Sequence, residues 1–215
     1  MKKIVITGAL GYIGTELCKL YSGFSWKYEV IAIDNRFISE RVNELKRRKI
    51  KFVQADILNL DEIKSYIKEA KVVHHLAGIT NVAYVKKESN PGQDENIKKV
   101  AIEGTENVLK SMNDNATIVF PSTHVVFEGL KKPKKNVDEN EKTSTFLAYS
   151  SSKVVNENQI INSGKKYVIF RLGSVYGFST DTMRMNIMPN LFSKIASQNG
   201  TIKLFGGGVQ FKSLV

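Results

Sequence analysis

Strand-like runs recur along the chain at residues 4–7, 30–33, 51–54, 72–76, 117–120 and 167–172, and the segments between them carry apolar residues at helical spacing. Strand and helix in steady alternation predict an α/β chain whose parallel sheet is covered on both faces. Asn59, with Glu62 three residues later, forms a capping-box pattern and predicts a helix running to about Ala70. Ile97, Val100, Ala101, Thr105, Val108 and Met112 make an apolar stripe, which predicts a helix laid on the core. After Gly177 the rhythm changes: 183–198 reads as another helix, 201–205 as a short strand, and Gly206-Gly207-Gly208 leads to an apolar end at Val215. The expected division is one domain over residues 1–175 and the beginning of a smaller one over 176–215, with a continuation of chain expected beyond Val215.

The first strand turns directly into a helix through Thr7-Gly8-Ala9-Leu10-Gly11-Tyr12-Ile13-Gly14. Glycines at these spacings have separate uses: Gly8 for a tight turn, Gly11 for close approach to a pyrophosphate, and Gly14 for packing of the new helix, whose first amides face the anion. An acid about 20 residues on completes the pattern of a dinucleotide site. Asp34, at the end of the strand that begins at Tyr28, is placed to accept hydrogen bonds from an adenosine ribose and to repel a 2′-phosphate, so the expected cofactor is NAD.

Composition changes this picture little. The 215 residues suit one domain or one and a half, and the net charge of +11 comes from 32 Lys and Arg against 21 Asp and Glu. That excess is almost all Lys, spread over predicted helix faces without interleaved aromatics, which argues against a nucleic-acid or membrane partner. Lys131-Lys132-Pro133-Lys134-Lys135 reads as a solvated loop. Cys18 is the sole cysteine, so no intramolecular disulfide forms and a cytoplasmic setting is expected. The Met-Lys-Lys start followed by apolar residues is broken by glycines, unlike a signal peptide. His74, His75 and His124 lack partners at metal-ligand spacing, so no metal site is expected.

Tyr149-Ser-Ser-Ser-Lys153 sets a phenol and an ammonium four residues apart, one turn on along the same helix face. A free phenol with a pKa near 10 is no base at neutral pH, but a nearby cation favours its phenolate. The strand ending in Pro121-Ser122-Thr123 brings hydroxyls to the carboxyl edge of the sheet, where open α/β sheets bind ligands.

Taken together, these features resemble the extended short-chain dehydrogenase/reductases, in particular the NAD-dependent epimerase/dehydratase group acting on nucleotide sugars. The resemblance spans essentially the whole chain. It runs through the glycine pattern at 7–14, Asp34-Asn35, Asp56-Ile57, His75-Leu76-Ala77-Gly78, Ser122-Thr123, Tyr149 with Lys153, Arg171-Leu-Gly-Ser-Val-Tyr-Gly177 and the Gly-Gly-Gly-Val-Gln tail. It implies a Rossmann fold, a doubly wound parallel sheet. It also implies an NAD site with Gly8, Gly11, Tyr12, Ile13 and Gly14 by the pyrophosphate, Asp34 and Asn35 by the adenosine ribose, Asp56 and Ile57 by the adenine, and Leu76, Ala77 and Gly78 along the cofactor.

In the same family reading Lys153 holds the nicotinamide ribose, Tyr149 takes the proton of a sugar hydroxyl, and Thr123 orients that oxygen. Ser174 and Asn190 stand at substrate-contact positions, Ser174 where epimerases often carry Asn. His124 and Val125 follow Thr123 where dehydratases place acids, which disfavours 4,6-elimination. Ala101 replaces the Asn usual before the Gly-Thr of its helix, and Lys212 stands where an Arg that binds the nucleotide diphosphate often lies. The expected activity is a nucleotide-sugar epimerase or related oxidoreductase, poorly active at this length. The alternatives are an NAD(P)-dependent reductase of a keto-sugar or other carbonyl and a non-catalytic dinucleotide sensor or scaffold. The expected partners are the nucleotide sugar and a second copy of the chain, met through helices of the Rossmann domain.

Overall fold

The computed structural model describes residues 1–80, 88–132, 134–209 and 213–215. Six strands form one sheet: β1 Lys2–Thr7, β2 Tyr28–Asp34, β3 Lys51–Gln54, β4 Val72–His75, β5 Thr117–Thr123 and β6 Lys166–Leu172. Their order is β3-β2-β1-β4-β5-β6, and every pairing is parallel. The helices are α1 Tyr12–Ser22, α2 Ser39–Arg47, α3 Leu60–Ile67, α4 Pro91–Ser111, α5 Ala148–Ile161 and α6 Met188–Ser197. This is the doubly wound arrangement, in which the strand order reverses beside β1 and the ends of β1 and β4 diverge into a crevice.

The period of the strands sorts their side chains onto the two faces. Val5, Ile31, Ile33, Val73, Ile118 and Phe120 join Ile63 and Ile67 of α3, Val108 of α4 and Ile160 of α5 in one core. Ile4, Ile6, Val30 and Ala32 meet Cys18 of α1 and Val42 and Leu45 of α2 in the other. Cys18 is fully buried, and burial pushes its thiol up to about 12, so it is an inert packing residue. The outer strand β6 departs from two-sided burial: Tyr167, Val168 and Phe170 are 41–51% exposed.

Several element boundaries differ from the sequence pattern for local reasons. In α3, Asn59 accepts from the Asp61 amide and donates to Glu62, but Glu62 reaches back to the Asp56 amide, and the helix stops at Ile67 instead of Ala70. The helix expected over 183–198 begins only at Met188, where Pro189 occupies the first turn. Residues 201–204 form no strand, and a 3-10 turn follows at Phe205–Gly208. Pro133, Gln210 and Lys212 lie outside the described residues. No helix among the described residues is long and apolar enough to cross a membrane.

Two buried polar groups lock the sheet to its helices. His75, at the end of β4, bonds Thr7 Oγ1 of β1 through Nδ1 at 2.9 Å and Thr105 Oγ1 of α4 through Nε2 at 3.0 Å. Glu157 of α5 binds Arg171 of β6 with two bonds, Nε at 3.1 Å and Nη2 at 2.8 Å, and also accepts from the Ser122 hydroxyl of β5. One carboxylate therefore ties one helix to two strands.

Both groups give measurable consequences. Burial, aided by the Lys153 charge, holds His75 down to about 3, against 6.5 ordinarily. Between those values the unfolded chain binds the extra proton and the folded chain does not, so stability falls as pH drops through that window. Denaturant titrations of wild type and His75→Gln should show the wild type losing on the order of 3 kcal/mol more from this group on acidification, and the variant a flatter slope. Glu157→Gln, which strands the partly buried Arg171, should cost about 2–4 kcal/mol at neutral pH in the same measurement.

Candidate functional site

The glycine loop sits where β1 gives way to α1. Gly8 has φ +68, and a Cβ on it would lie 2.7 Å from the Ala77 nitrogen and 2.8 Å from the Leu76 carbonyl carbon, so the loop lies directly against the backbone after β4. A Cβ on Gly14 would come within 2.4 Å of the Gly8 oxygen; its role is to let α1 close on its own loop. A Cβ on Gly11 would lie 3.2 Å from the Gly8 oxygen, a close contact within the loop itself.

Gly11 caps α1 without a side chain, and the amides of Tyr12, Ile13 and Gly14 find no protein acceptor among the described residues. Three oriented, unsatisfied N–H groups at a helix N-terminus fit a pyrophosphate. The side chains beside them look elsewhere: Tyr12 donates to the Gly177 carbonyl at 2.6 Å, and Ile13 faces a surface hollow of about 290 Å³ with Leu17, Val175 and Phe178.

The end of β2 is built around Asp34, which is 4% exposed. Its Oδ2 accepts from the Leu10 amide at 2.9 Å, so the carboxylate also shapes the glycine loop. The remaining positions are taken by Arg36: its amide and Nε donate to Oδ1 at 3.1 and 2.9 Å, and its Nη2 to Oδ2 at 3.1 Å. Asn35 donates to Asp56 at 3.1 Å, and Asp56 also accepts from the Leu58 amide. The Ile57 side chain belongs to the core, where its Cδ1 would be 2.3 Å from a Cβ on Gly104. Leu76 and Ala77 pack against the two cores, whereas Gly78 has open space on its Cβ side.

Opposite this pocket wall, Thr123 ends β5 and caps a 3-10 turn, His124–Phe127, accepting from the Val125 amide at 3.3 Å. Tyr149 and Lys153 lie on α5. The Lys153 ammonium donates to the Pro121 carbonyl at 2.9 Å and lies 4.3 Å from the Phe120 ring centre and 5.8 Å from that of Tyr149. Burial lowers Lys153 to about 8, with the Glu157 carboxylate opposing the fall. Burial raises the Tyr149 phenol, with the Arg184 cation pulling it back down. Within the protein alone, then, desolvation of the phenol outweighs the cations around it, contrary to the simple expectation from the Tyr-Lys spacing.

Glu157, Arg36, Arg41 and Arg184 belong to none of the motifs that mark the site in the sequence. Glu157 was detectable in principle, since it lies one further turn along the face that carries Tyr149 and Lys153.

Beyond β6 the chain folds back over the cofactor side. Ser174 exchanges backbone hydrogen bonds with residues 213–215, and Asn190 spends its amide on the Gly177 nitrogen at 3.1 Å and the Arg184 carbonyl at 3.0 Å. In these positions both residues brace backbone. The segment 177–182 is fastened to α1 and α2: Ser179 bonds Glu16 at 2.9 Å, Thr182 bonds Thr15 at 2.9 Å, and Arg41 donates to Asp181 at 2.8 Å and to the Leu10 carbonyl at 2.7 Å. No group of three or more metal-ligating side chains occurs among the described residues.

Known proteins share this arrangement. The chain is 26% identical over 207 residues to a dTDP-4-dehydrorhamnose reductase of Aggregatibacter actinomycetemcomitans, covering 93% of this chain and 62% of that one. It is 29% identical over 224 residues to an uncharacterized UDP-glucose epimerase, YtcB, of Bacillus subtilis, covering 97% and 66%. The chain thus spans a little under two thirds of the length of these relatives. Among solved structures, a UDP-glucuronic acid 4-epimerase mutant from Bacillus cereus, in complex with a fluorinated UDP-sugar and NAD, superposes with a TM-score of 0.81 at 24% identity, covering 99% of this chain and 68% of that one. A UDP-glucose 4-epimerase from Thermotoga maritima gives 0.81 at 22% identity, covering 99% and 69%. At these identities the two structures establish the fold. With the family profile matching residues 4–215, from the first strand through the glycine loop, the Tyr-Lys helix and the strap, this chain belongs to the NAD dependent epimerase/dehydratase family.

Proposed function

We propose that the chain acts on a nucleotide sugar as an NAD-dependent epimerase or oxidoreductase, with Tyr149 as the base. The observation that supports this most is the convergence on the carboxyl edge of β5. Thr123 ends the strand, and Lys153, from the turn of α5 after Tyr149, anchors on the carbonyl two residues before it. Tyr149 takes the proton from a sugar hydroxyl, and Thr123 orients the same oxygen through its hydroxyl. NAD, when bound, supplies an acceptor for the hydride of that carbinol carbon and, with its nicotinamide cation, favours the phenolate that burial alone opposes. Loss of proton and hydride leaves a keto sugar, which in an epimerase presents its other face before both return. Lys153 holds the ribose beside the phenol and keeps positive charge there, a task it can perform only while protonated.

A keto-sugar reductase is the second reading, favoured by the reductase among the curated relatives. The two separate cleanly, because an epimerase recycles its cofactor and a reductase consumes the reduced form in proportion to product.

Incubating the chain and NAD with a panel of UDP-, dTDP- and CDP-sugars, followed by chromatography, should yield an isomerised sugar without net change in cofactor absorbance. Tyr149→Phe should lower that rate by about 10²–10⁴-fold while leaving NAD binding within a few-fold, and undiminished turnover would remove Tyr149 as the base. With the Tyr149 phenol raised by burial and Lys153 lowered to about 8, the form that pairs phenolate with ammonium grows with pH up to about 8 and then levels, so kcat/KM should rise with pH and flatten above about 8.

A further inference from the structure

Asp34 and Arg36 together pose a question that the glycine pattern does not. An acid at the end of β2 selects NAD in two ways: it accepts the ribose hydroxyls, and its charge repels a 2′-phosphate. Both require a carboxylate whose oxygens and charge are available. Here Asp34 accepts four hydrogen bonds, one from Leu10 and three from Arg36, and Arg36 engages both oxygens in a forked ion pair. A ribose hydroxyl can reach Asp34 in the usual way only by displacing the guanidinium.

Other charges nearby do not change this balance. Arg41, at the Leu10 carbonyl, is matched by Asp181, and the Asp56 carboxylate accepts from Asn35 and from the Leu58 amide, while the Asp56 amide donates to Glu62. Arg36 is thus the cation that offsets Asp34. The Arg36 side chain remains 53% exposed while the Asp34 side chain is 3% exposed, so the outward surface at the ribose position is guanidinium, with planar donors suited to a phosphate.

We propose that Arg36 determines cofactor selectivity at the adenosine end, and that by occupying and neutralising Asp34 it lets this site take a 2′-phosphorylated dinucleotide, NADP, alongside NAD. The proposal rests on the dinucleotide reading of the glycine loop. NAD binds by moving Arg36 off the carboxylate, and NADP binds by giving Arg36 a phosphate in its place. Removing the guanidinium therefore acts on both ligands in opposite senses. Asp34 is freed for the ribose hydroxyls of NAD, and its charge is left unopposed against the 2′-phosphate of NADP.

Titration calorimetry of the full chain with NAD and with NADP, for wild type and Arg36→Ala, tests this without any turnover. Wild type should bind NADP within about tenfold of NAD, and Arg36→Ala should raise the ratio of NADP Kd to NAD Kd about tenfold, as expected for losing a charge-assisted pair. A wild-type ratio within that range together with a rise of about fivefold or more supports the proposal; a larger wild-type ratio or a smaller rise overturns it. NAD binding with a flat ratio removes Arg36 alone, whereas failure of both dinucleotides to bind removes the cofactor site with it. Arg36 is half exposed and outside both cores, and equal thermal midpoints for the two proteins would exclude a folding defect.

Discussion

The carboxyl edge of the sheet is organised by one backbone contact, the seating of the glycine loop against the chain that leaves β4. Gly8 takes a left-handed turn and lies so close to Leu76 and Ala77 that a methyl group there would overlap main-chain atoms. Because the two backbones meet, the first turn of α1 is directed across the sheet edge with its amides unpaired, and His75 must sit below, between Thr7 and Thr105. The crevice is a consequence of strand order, β1 being flanked by strands whose connections run to opposite faces. The glycines convert that crevice from a gap in the topology into a surface of aligned donors. Asp34 reinforces the same arrangement through its bond to the Leu10 amide, so the carboxylate at the end of β2 also supports the glycine loop.

The reactive side is held differently. Its residues depend on a helix, α5, whose position relative to β5 and β6 is set by the Glu157 carboxylate, the Arg171 guanidinium and the Ser122 hydroxyl. A buried ion pair contributes little net stability compared with an apolar contact of the same volume, since desolvation offsets most of the attraction. Its value here is geometric and electrostatic. It aligns α5 with the strand end that carries Thr123, and it places a negative charge one turn from Lys153, which opposes the loss of the ammonium's proton. The phenol is left to the opposite tendency, raised by burial against the pull of the Arg184 cation.

The alternation of strand and helix, the layer structure and the identity of the glycine loop were legible because they follow from patterns that backbone sterics and burial impose locally: continuous apolar runs, helical stripes, and glycine at a position with φ +68. The start of α6 was not legible, because 183–187 has helical composition but Pro189 permits the helix only from its own first turn. The end of α3 was misjudged for a related reason, since Ala70 continues the apolar pattern but its amide closes a single turn onto Ile67. Side-chain commitments were the least readable. Nothing in Asp34-Asn-Arg36 says that the arginine folds back onto the acid two residues earlier, and nothing in Asn190 says that its amide is spent on two backbone groups. Such choices are made by partners distant in sequence, or by rotamers that compete within a fraction of the folding energy.

The strap formed by 177–182 links the two halves of the site. It follows β6 and is fastened to α1 through Tyr12, Thr15 and Glu16. Arg41 makes the linkage three-way, since one guanidinium holds Asp181 of the strap and the Leu10 carbonyl of the loop while rooted on α2. Asn190 then ties Gly177 to Arg184, the cation that acts on Tyr149. A path of hydrogen bonds therefore runs from Tyr12 through Gly177 and Asn190 to Arg184, whose charge in turn acts on the Tyr149 phenol. Such connectivity limits how far the glycine loop and Arg184 can move relative to one another, because any shift must stretch or break at least one of these bonds.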